Sequence, residues 1–313
     1  MRSMPLPRPR PARLATAVAG LLLACVVLVA GCSRSDAPPT TASASTSGIQ
    51  VTGAFGTAPQ VSYPIPWTDT TTTTKVLVEG KGSRLRDGAA VLLEIYAQDG
   101  STGKVLRDDF TGIASPYLLT EDGLGGDLYA AVVGRKVGSR LLHTVVSDGV
   151  PVVMTVDILP TSAQGAPVEH LATETSDGAP MPTVKVGKDG VPVVTVDSDA
   201  KPPAALTAVA LRRGDGEQVR AGRTAVLRYV AVRWSTGKVS GSTWAAGALP
   251  VTVTIGADEL IEGLDDALTE VAAGSRILVV VPPDKGFAPA GGKLKDETLV
   301  YLVDVLAVQG TGE

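Results

Sequence analysis

Cysteine is almost missing from this chain. Only Cys25 and Cys32 occur in 313 residues, both near the N-terminus. Everything beyond residue 32 is therefore without a disulfide, a thiolate metal centre or a cysteine nucleophile. Histidine is equally scarce: His143 reads as a surface or strand residue and His170 as part of a linker, neither as a catalyst. No GxGxxG stands in a strand–turn–helix frame and there is no phosphate loop. Gly123-Leu124-Gly125-Gly126 is only a weak match beside a candidate helix, and Gly241-Ser242-Thr243-Trp244 lacks the nucleophile-elbow pattern, leaving Trp244 to a pocket rim or a surface turn. Neither a cofactor nor a metal is expected. Basic residues are outnumbered, 28 against 32 acidic, and form no patch, which argues against a nucleic-acid partner. Aromatics make up 4% of the chain, so each one that falls near an apolar pocket is informative.

The N-terminus is where cationic charge and apolar length do collect. Arg2, Arg8, Arg10 and Arg13 come before any acid, Leu14 to Gly31 is uncharged, and Val29-Ala30-Gly31-Cys32 closes the run with small residues. This resembles a bacterial lipoprotein signal, with residues 1–31 removed and Cys32 lipidated as the mature N-terminus. A transmembrane helix is the competing reading, since 18 uncharged residues is at the usual limit. The basic flank and the small-residue processing site favour the signal peptide. Several acyl chains on one cysteine suffice for stable anchoring, where one chain is marginal. Removing four arginines takes the net charge from −4 to −8, so lipid rather than surface charge must tether the protein. The expected location is the extracytoplasmic face of the bacterial cell membrane.

Residues 32–48, rich in Ser, Thr, Ala and Pro, read as a flexible tether. Beyond them the chain repeats. Gly80, Gly82, Gly88 and Ser101-Thr102-Gly103-Lys104-Val105 recur as Gly214, Gly216, Gly222 and Ser235-Thr236-Gly237-Lys238-Val239. Gly138-Ser139-Arg140 recurs as Gly274-Ser275-Arg276, and Val156-Asp157-Ile158-Leu159 as Val303-Asp304-Val305-Leu306. The leaders align as well, Gly56 on Gly190. A repeat this long means two copies of one domain, each large enough to bury a core. The expected division is 49–160 and 182–309, joined by a polar linker, 161–181, with a short tail, 310–313.

In the second copy, Leu260, Ile261, Leu264, Leu268 and Val271 fall on one face of a predicted short helix. Asp258 and Glu259 stand at its start, and Gly274 is placed for a C-terminal cap. Strands are expected at Thr183–Val186, Val191–Val196, Thr224–Val232, Val251–Ile255, Arg276–Val281 and Thr298–Val308. A Gly/Pro-rich loop carrying Phe287 separates the last two. The order and spacing of Leu260-Ile261-x-Gly263-Leu264, Gly274-Ser275-Arg276, Val281-Pro282-Pro283-x-x-Gly286-Phe287 and Thr298-Leu299-Val300-Tyr301-x-Val303-Asp304-Val305-Leu306 resemble the FKBP family, the macrolide-binding peptidyl-prolyl isomerases. The resemblance implies an α+β fold of two FKBP-like domains, each a twisted antiparallel β-sheet wrapped over a short helix. It also implies a pocket between helix and sheet, roofed by the long loop.

Carried onto this chain, the family pattern assigns Tyr229, Phe287 and Tyr301 to catalysis and Val239, Ser240, Val251, Leu260, Ile261 and Leu264 to the substrate pocket. Several positions depart from it. Val239 stands for a phenylalanine, Ser240 for an aspartate, Val251 for an aromatic, Leu264 for a tryptophan, and Phe287 for a tyrosine whose hydroxyl contacts substrate. The implied reaction needs no nucleophile or metal. The barrier to X-Pro rotation is amide resonance, and an apolar pocket favours the twisted, less charge-separated amide by desolvating it. The first copy departs further. Leu141 to Val146 passes through Ser147-Asp148-Gly149 straight into Pro151 to Ile158 without a roof loop, and Ile95 replaces the strand tyrosine. Leu124 and Leu128 match Leu260 and Leu264, so the helix is expected to survive. The expected partners are proline-containing exported polypeptides. The alternative is a non-catalytic, membrane-tethered binding or chaperone module of the same fold.

Overall fold

The computed structural model describes residues 44–46, 48–176 and 178–309. The expected signal peptide, Cys32 and the tail 310–313 lie outside the described residues. Three short antiparallel strands come first, β1 Ala44–Thr46, β2 Ile49–Thr52 and β3 Gln60–Ser62. A six-stranded antiparallel sheet follows. It is built from β4 Thr73–Val78, β5 Ala90–Asp99, β6 Val105–Asp108, β7 Ser115–Leu118, β8 Arg140–Ser147 and β9 Val150–Leu159, in the order β4-β8-β9-β5-β6 with β7 also on β5. Between β7 and β8 lie two helices, α1 Glu121–Leu124 and α2 Gly126–Val132.

The chain then repeats the pattern. After β10 Ala166–Pro167 comes a two-stranded hairpin, β11 Thr183–Val186 with β12 Pro192–Thr195. The second large sheet contains β13 Thr207–Arg213, β14 Thr224–Arg233, β15 Val239–Ser242, β16 Val251–Thr254, β17 Arg276–Val281 and β18 Leu299–Val308. Its order is β10-β13-β17-β18-β14-β15 with β16 also on β14, and α3, Glu262–Leu268, lies between β16 and β17. Without β10, the strand order of the two large sheets is the same.

The apolar patterns explain the layers. All six residues of β17 are buried, because the strand is covered on both faces. Ile277, Val279 and Val281 pack with Leu264 and Leu268 of α3, while Leu278 and Val280 pack behind them with Val194 of the β11–β12 hairpin. β18 divides likewise: Leu299, Tyr301 and Val303 face the helix and Val300 and Leu302 face the hairpin. In the first sheet Leu141 and Val156 face Val132 of α2, and Leu142 and Val153 pack behind with Ile49, Val51 and Trp67. Each sheet is therefore closed behind by its own leader strands. An ion pair ties each leader or connector down. Arg140 and Asp157 are completely buried, and Asp157 Oδ2 also accepts from Gly56 N at 2.7 Å. Arg276 and Asp304 form the equivalent pair, and Asp304 Oδ2 accepts from Ala163 N at 2.8 Å.

Several expectations change. The stretch 32–48 is not all tether: Ala44–Thr46 pairs with Ile49–Val51. The stretch 161–181 is not a free linker, since Ala166–Pro167 pairs with β13 and Met181 packs against the hairpin-side core. The second helix is shorter than its apolar spacing suggests. Asp258 has a positive φ of 59°, so it and Glu259 lie in a turn before the helix. Val271 lies beyond it, and its carbonyl accepts from Val219 N. Gly274 does not cap the helix, which ends at Leu268 with Thr269 as its C-cap; its amide bonds Val305 O instead. Of the two readings of His143, surface or strand, the strand holds: it lies within β8 and is 1% exposed. Trp244 stacks on the Arg228 guanidinium at 3.8 Å and packs with the hairpin-side core. Among the described residues no helix is long and apolar enough to cross a membrane.

Candidate active site

The helix face of the second sheet is not filled completely. Between α3, β14, β15, β16, β18 and the loop 282–298 is a cavity of about 500 Å³. Its shape follows from local choices. Gly263 lets α3 sit close to β17, since a Cβ there would lie 2.6 Å from Val281 Cγ1. Pro282 and Pro283 end β17 and start a 3₁₀ turn, Pro283–Lys285. Lys285 then pairs with Glu262 and, at 3.1 Å, with Asp266, pinning the loop to the exposed side of α3. This hold places Phe287 over the cavity.

Eight of the nine residues expected from the sequence meet at this cavity: Tyr229, Phe287, Tyr301, Ser240, Val251, Leu260, Ile261 and Leu264. Val239 does not. It pairs with Val232, whose side chain is on the hairpin side of the sheet, and on this edge strand it remains 60% exposed. A bulge at that point turns Ser240 to the cavity side, with its hydroxyl donating to Ala231 O at 3.3 Å. The sequence reading missed Leu227, Val253, Leu268, Leu299 and Val303, which line the interior, and Asp258, Glu259 and Leu294. The strand residues were within reach of the period-two rule. Leu227 and Ala231 flank Tyr229 at two positions, and Leu299 and Val303 flank Tyr301. Asp258 and Glu259, both exposed, follow from the turn and had no such signal.

The cavity is apolar with few polar atoms. The Tyr229 and Tyr301 rings lie 6.1 Å apart, tilted by 51°. Burial pushes the Tyr301 phenol up to about 12, with Tyr229 adding to the shift, so the hydroxyl stays protonated at neutral pH. Neither phenol has a hydrogen-bond partner among the described residues, and the amide of Ile261, which precedes α3, also donates to none of them. Nothing here is equipped for nucleophilic attack, and among the described residues no group of three or more His, Cys, Asp or Glu is placed to hold a metal. What the site offers is a largely apolar space with a small number of hydrogen-bond donors at its walls.

Comparison with known proteins covers the part of the chain that forms this cavity. Residues 215–306 match the family described as FKBP-type peptidyl-prolyl cis-trans isomerase. An FK506-binding protein from Streptomyces anulatus is 32% identical over 112 residues, which cover 34% of this chain and 90% of that protein. A probable FK506-binding protein from Corynebacterium glutamicum is 28% identical over 96 residues, covering 30% of this chain and 79% of the other. The FK506-binding protein 1 of Aspergillus oryzae is 26% identical over 108 residues, 31% of this chain and 93% of that one. The chain belongs to the FKBP-type peptidyl-prolyl isomerase family, and the matched segment contains the strands, helix and loop that enclose the cavity.

Proposed function

We propose that the second half of the chain, 182–309, is a working peptidyl-prolyl cis-trans isomerase, and that 49–160 is a degenerate copy of the same domain. The observation that carries the first claim is the apolar cavity floored by Leu264 and roofed by Phe287, with Tyr229 and Tyr301 in its walls. A proline ring entering it leaves water together with its preceding amide. Desolvation costs the planar, resonance-stabilised amide more than the twisted one, so the barrier falls without covalent chemistry. The unpartnered phenols and the Ile261 amide are donors suited to the imide carbonyl as it rotates. Uncatalysed X-Pro isomerisation takes tens of seconds or longer, so modest stabilisation is useful to a folding chain.

The substrates in this reading are proline-containing polypeptides that have been exported, because the N-terminal sequence reads as a lipoprotein signal with Cys32 as the anchor. The relatives' names carry FK506, and a weak affinity for that macrolide is proposed for this cavity too. The first copy, lacking the roof loop, binds none. One observation favours a binding module over an enzyme: Phe287 has no hydroxyl, and the Ser240 hydroxyl is directed at a backbone carbonyl. A protease-coupled assay across X-Pro peptides separates the two readings. The catalytic reading expects a rate above the thermal background, greatest with an apolar residue before proline. A folded chain with no such rate at any peptide leaves the binding module.

A further inference from the structure

The charges at the rim of the second-half cavity are all of one sign. Asp258 and Glu259 are the charged side chains among its lining residues, and both are exposed. The lysines of the loop 282–298 do not neutralise them. Lys285 is held by Glu262 and, at 3.1 Å, by Asp266. Lys293 and Lys295 are exposed and do not line the cavity.

The two acids are built into the turn that joins β16 to α3. Thr254 N donates to Glu259 Oε2 at 3.0 Å, and Gly256 N donates to Asp265 Oδ1 at 2.9 Å. Asp258, with φ of 59°, stands in the left-handed region, where aspartate is tolerated. The next two residues, Leu260 and Ile261, go into the cavity wall. The carboxylates therefore stand where that wall meets solvent. A separate feature says that the cavity takes a polar guest. Tyr301 is only 9% exposed, lines the cavity, and its phenol has no hydrogen-bond partner among the described residues. A buried donor of this kind is stabilised by a guest that brings a carbonyl.

A fitting guest combines an apolar group for the cavity, a carbonyl for the phenol and a positive charge for the rim. A lysine or arginine beside an apolar-Pro pair supplies the last of these. Its aliphatic stem covers apolar surface while its charge stays in water next to the carboxylates. We propose that Asp258 and Glu259 select, among X-Pro segments, those flanked by lysine or arginine and disfavour those flanked by acids. The inference rests on reading this cavity as a substrate pocket. Exposed ion pairs are individually weak and are screened by salt, so a preference of about threefold to fivefold is expected at low ionic strength. A contact made equally with the planar and the twisted amide acts on KM and leaves kcat alone.

The probes are three peptides, Gly-Xaa-Leu-Pro-Phe-Xaa-Gly with Xaa as Lys, Gln or Glu, each carrying an uncharged fluorophore. Anisotropy with the full chain gives Kd, and exchange NMR gives the cis–trans rate. Affinity is expected to fall in the order Lys, Gln, Glu, and to converge at about 1 M salt. It is also expected to converge in the Asp258→Asn/Glu259→Gln double variant and to keep its order in Asp122→Asn, an exposed acid of the first half. Gln retains an oxygen for Thr254 N and Asn accepts a positive φ, so the turn is kept; circular dichroism checks it. The salt series on the unaltered chain needs no variant. Equal affinities for the three peptides, an order that persists at high salt or in the double variant, or one lost equally in Asp122→Asn overturns the proposal. Binding in this order with no faster exchange overturns only the catalytic reading. Faster exchange without the order overturns only the charge preference, and no binding by any peptide overturns both.

Discussion

Leu92 on β5 and Val226 on β14 hold equivalent positions in the two large sheets, 134 residues apart, and both are completely buried in one shared apolar cluster. Leu159 and Leu306, likewise equivalent, pack on the same cluster. The two repeats thus meet through corresponding surfaces, as the subunits of a twofold dimer do.

That contact is expected to make the halves unfold together. Leu92→Ala is expected to cost about 2–4 kcal/mol, from lost burial and the cavity left behind. Val226→Asp, which puts a charge into the cluster, is expected to split one calorimetric transition into two. A single transition at the wild-type temperature in both variants would show that the cluster does not couple the halves.

Asp304 joins Arg276 to the backbone of Ala163. Asp304→Asn leaves a buried guanidinium without its counter-charge and is expected to cost about 3–5 kcal/mol in urea unfolding. Replacing both partners with apolar residues is expected to cost less than the single change, because no charge is then stranded. Asp157→Asn tests the same relationship with Arg140 in the first half.

Glu94 stands on β5 where Arg228 stands on β14, and its Oε2 is buried with no partner. Burial, reinforced by Asp157 and Asp109, pushes its carboxyl up to about 8 from 4.5. The folded form therefore keeps a proton that the unfolded chain releases. Its stabilising contribution is complete below about 4.5 and is lost as pH rises towards 8. Glu94→Gln cannot ionise, so at pH 8 it is expected to be more stable than wild type by about 1–3 kcal/mol, with no advantage at pH 4. Unfolding curves of both proteins that stay parallel across this range would contradict it.

Phe287 covers the second-half cavity without a polar atom. Phe287→Ala opens the site to water and is expected to lower kcat/KM about tenfold, equivalent to about 1.4 kcal/mol. Phe287→Tyr supplies a hydroxyl and is expected to raise it. Equal kcat/KM in all three folded proteins would remove the loop from the catalytic site.

Cys32→Ser is expected to abolish lipid attachment and leave the protein unprocessed or released from the membrane. Mass spectrometry of the wild type tests the premise, because an unlipidated chain beginning at Met1 would exclude the anchor.

Much of this was legible without coordinates. The repeat, the strand β17 with its continuous apolar run, and the loop bounded by Pro282-Pro283 and Phe287 are local patterns, and local patterns report burial period and chain reversal. Tyr229, Leu264, Phe287 and Tyr301 converge because the helix and strands that carry them could be read from spacing and from family likeness. Other features depended on tertiary pairing. Val239 is apolar in sequence, yet a one-residue bulge opposite Val232 sends it to the far face and leaves it exposed. A residue-by-residue correspondence does not register a change of face. His143 read as a surface or strand residue, and pairing with Met154 in the middle of the sheet is what buries it. Val271 continued the helical spacing, but its carbonyl bonds to Val219, and that bond belongs to a strand-like bridge across the chain. The sequence determined which elements form and which residues are apolar. Register and packing between distant segments decided which side chains share a space.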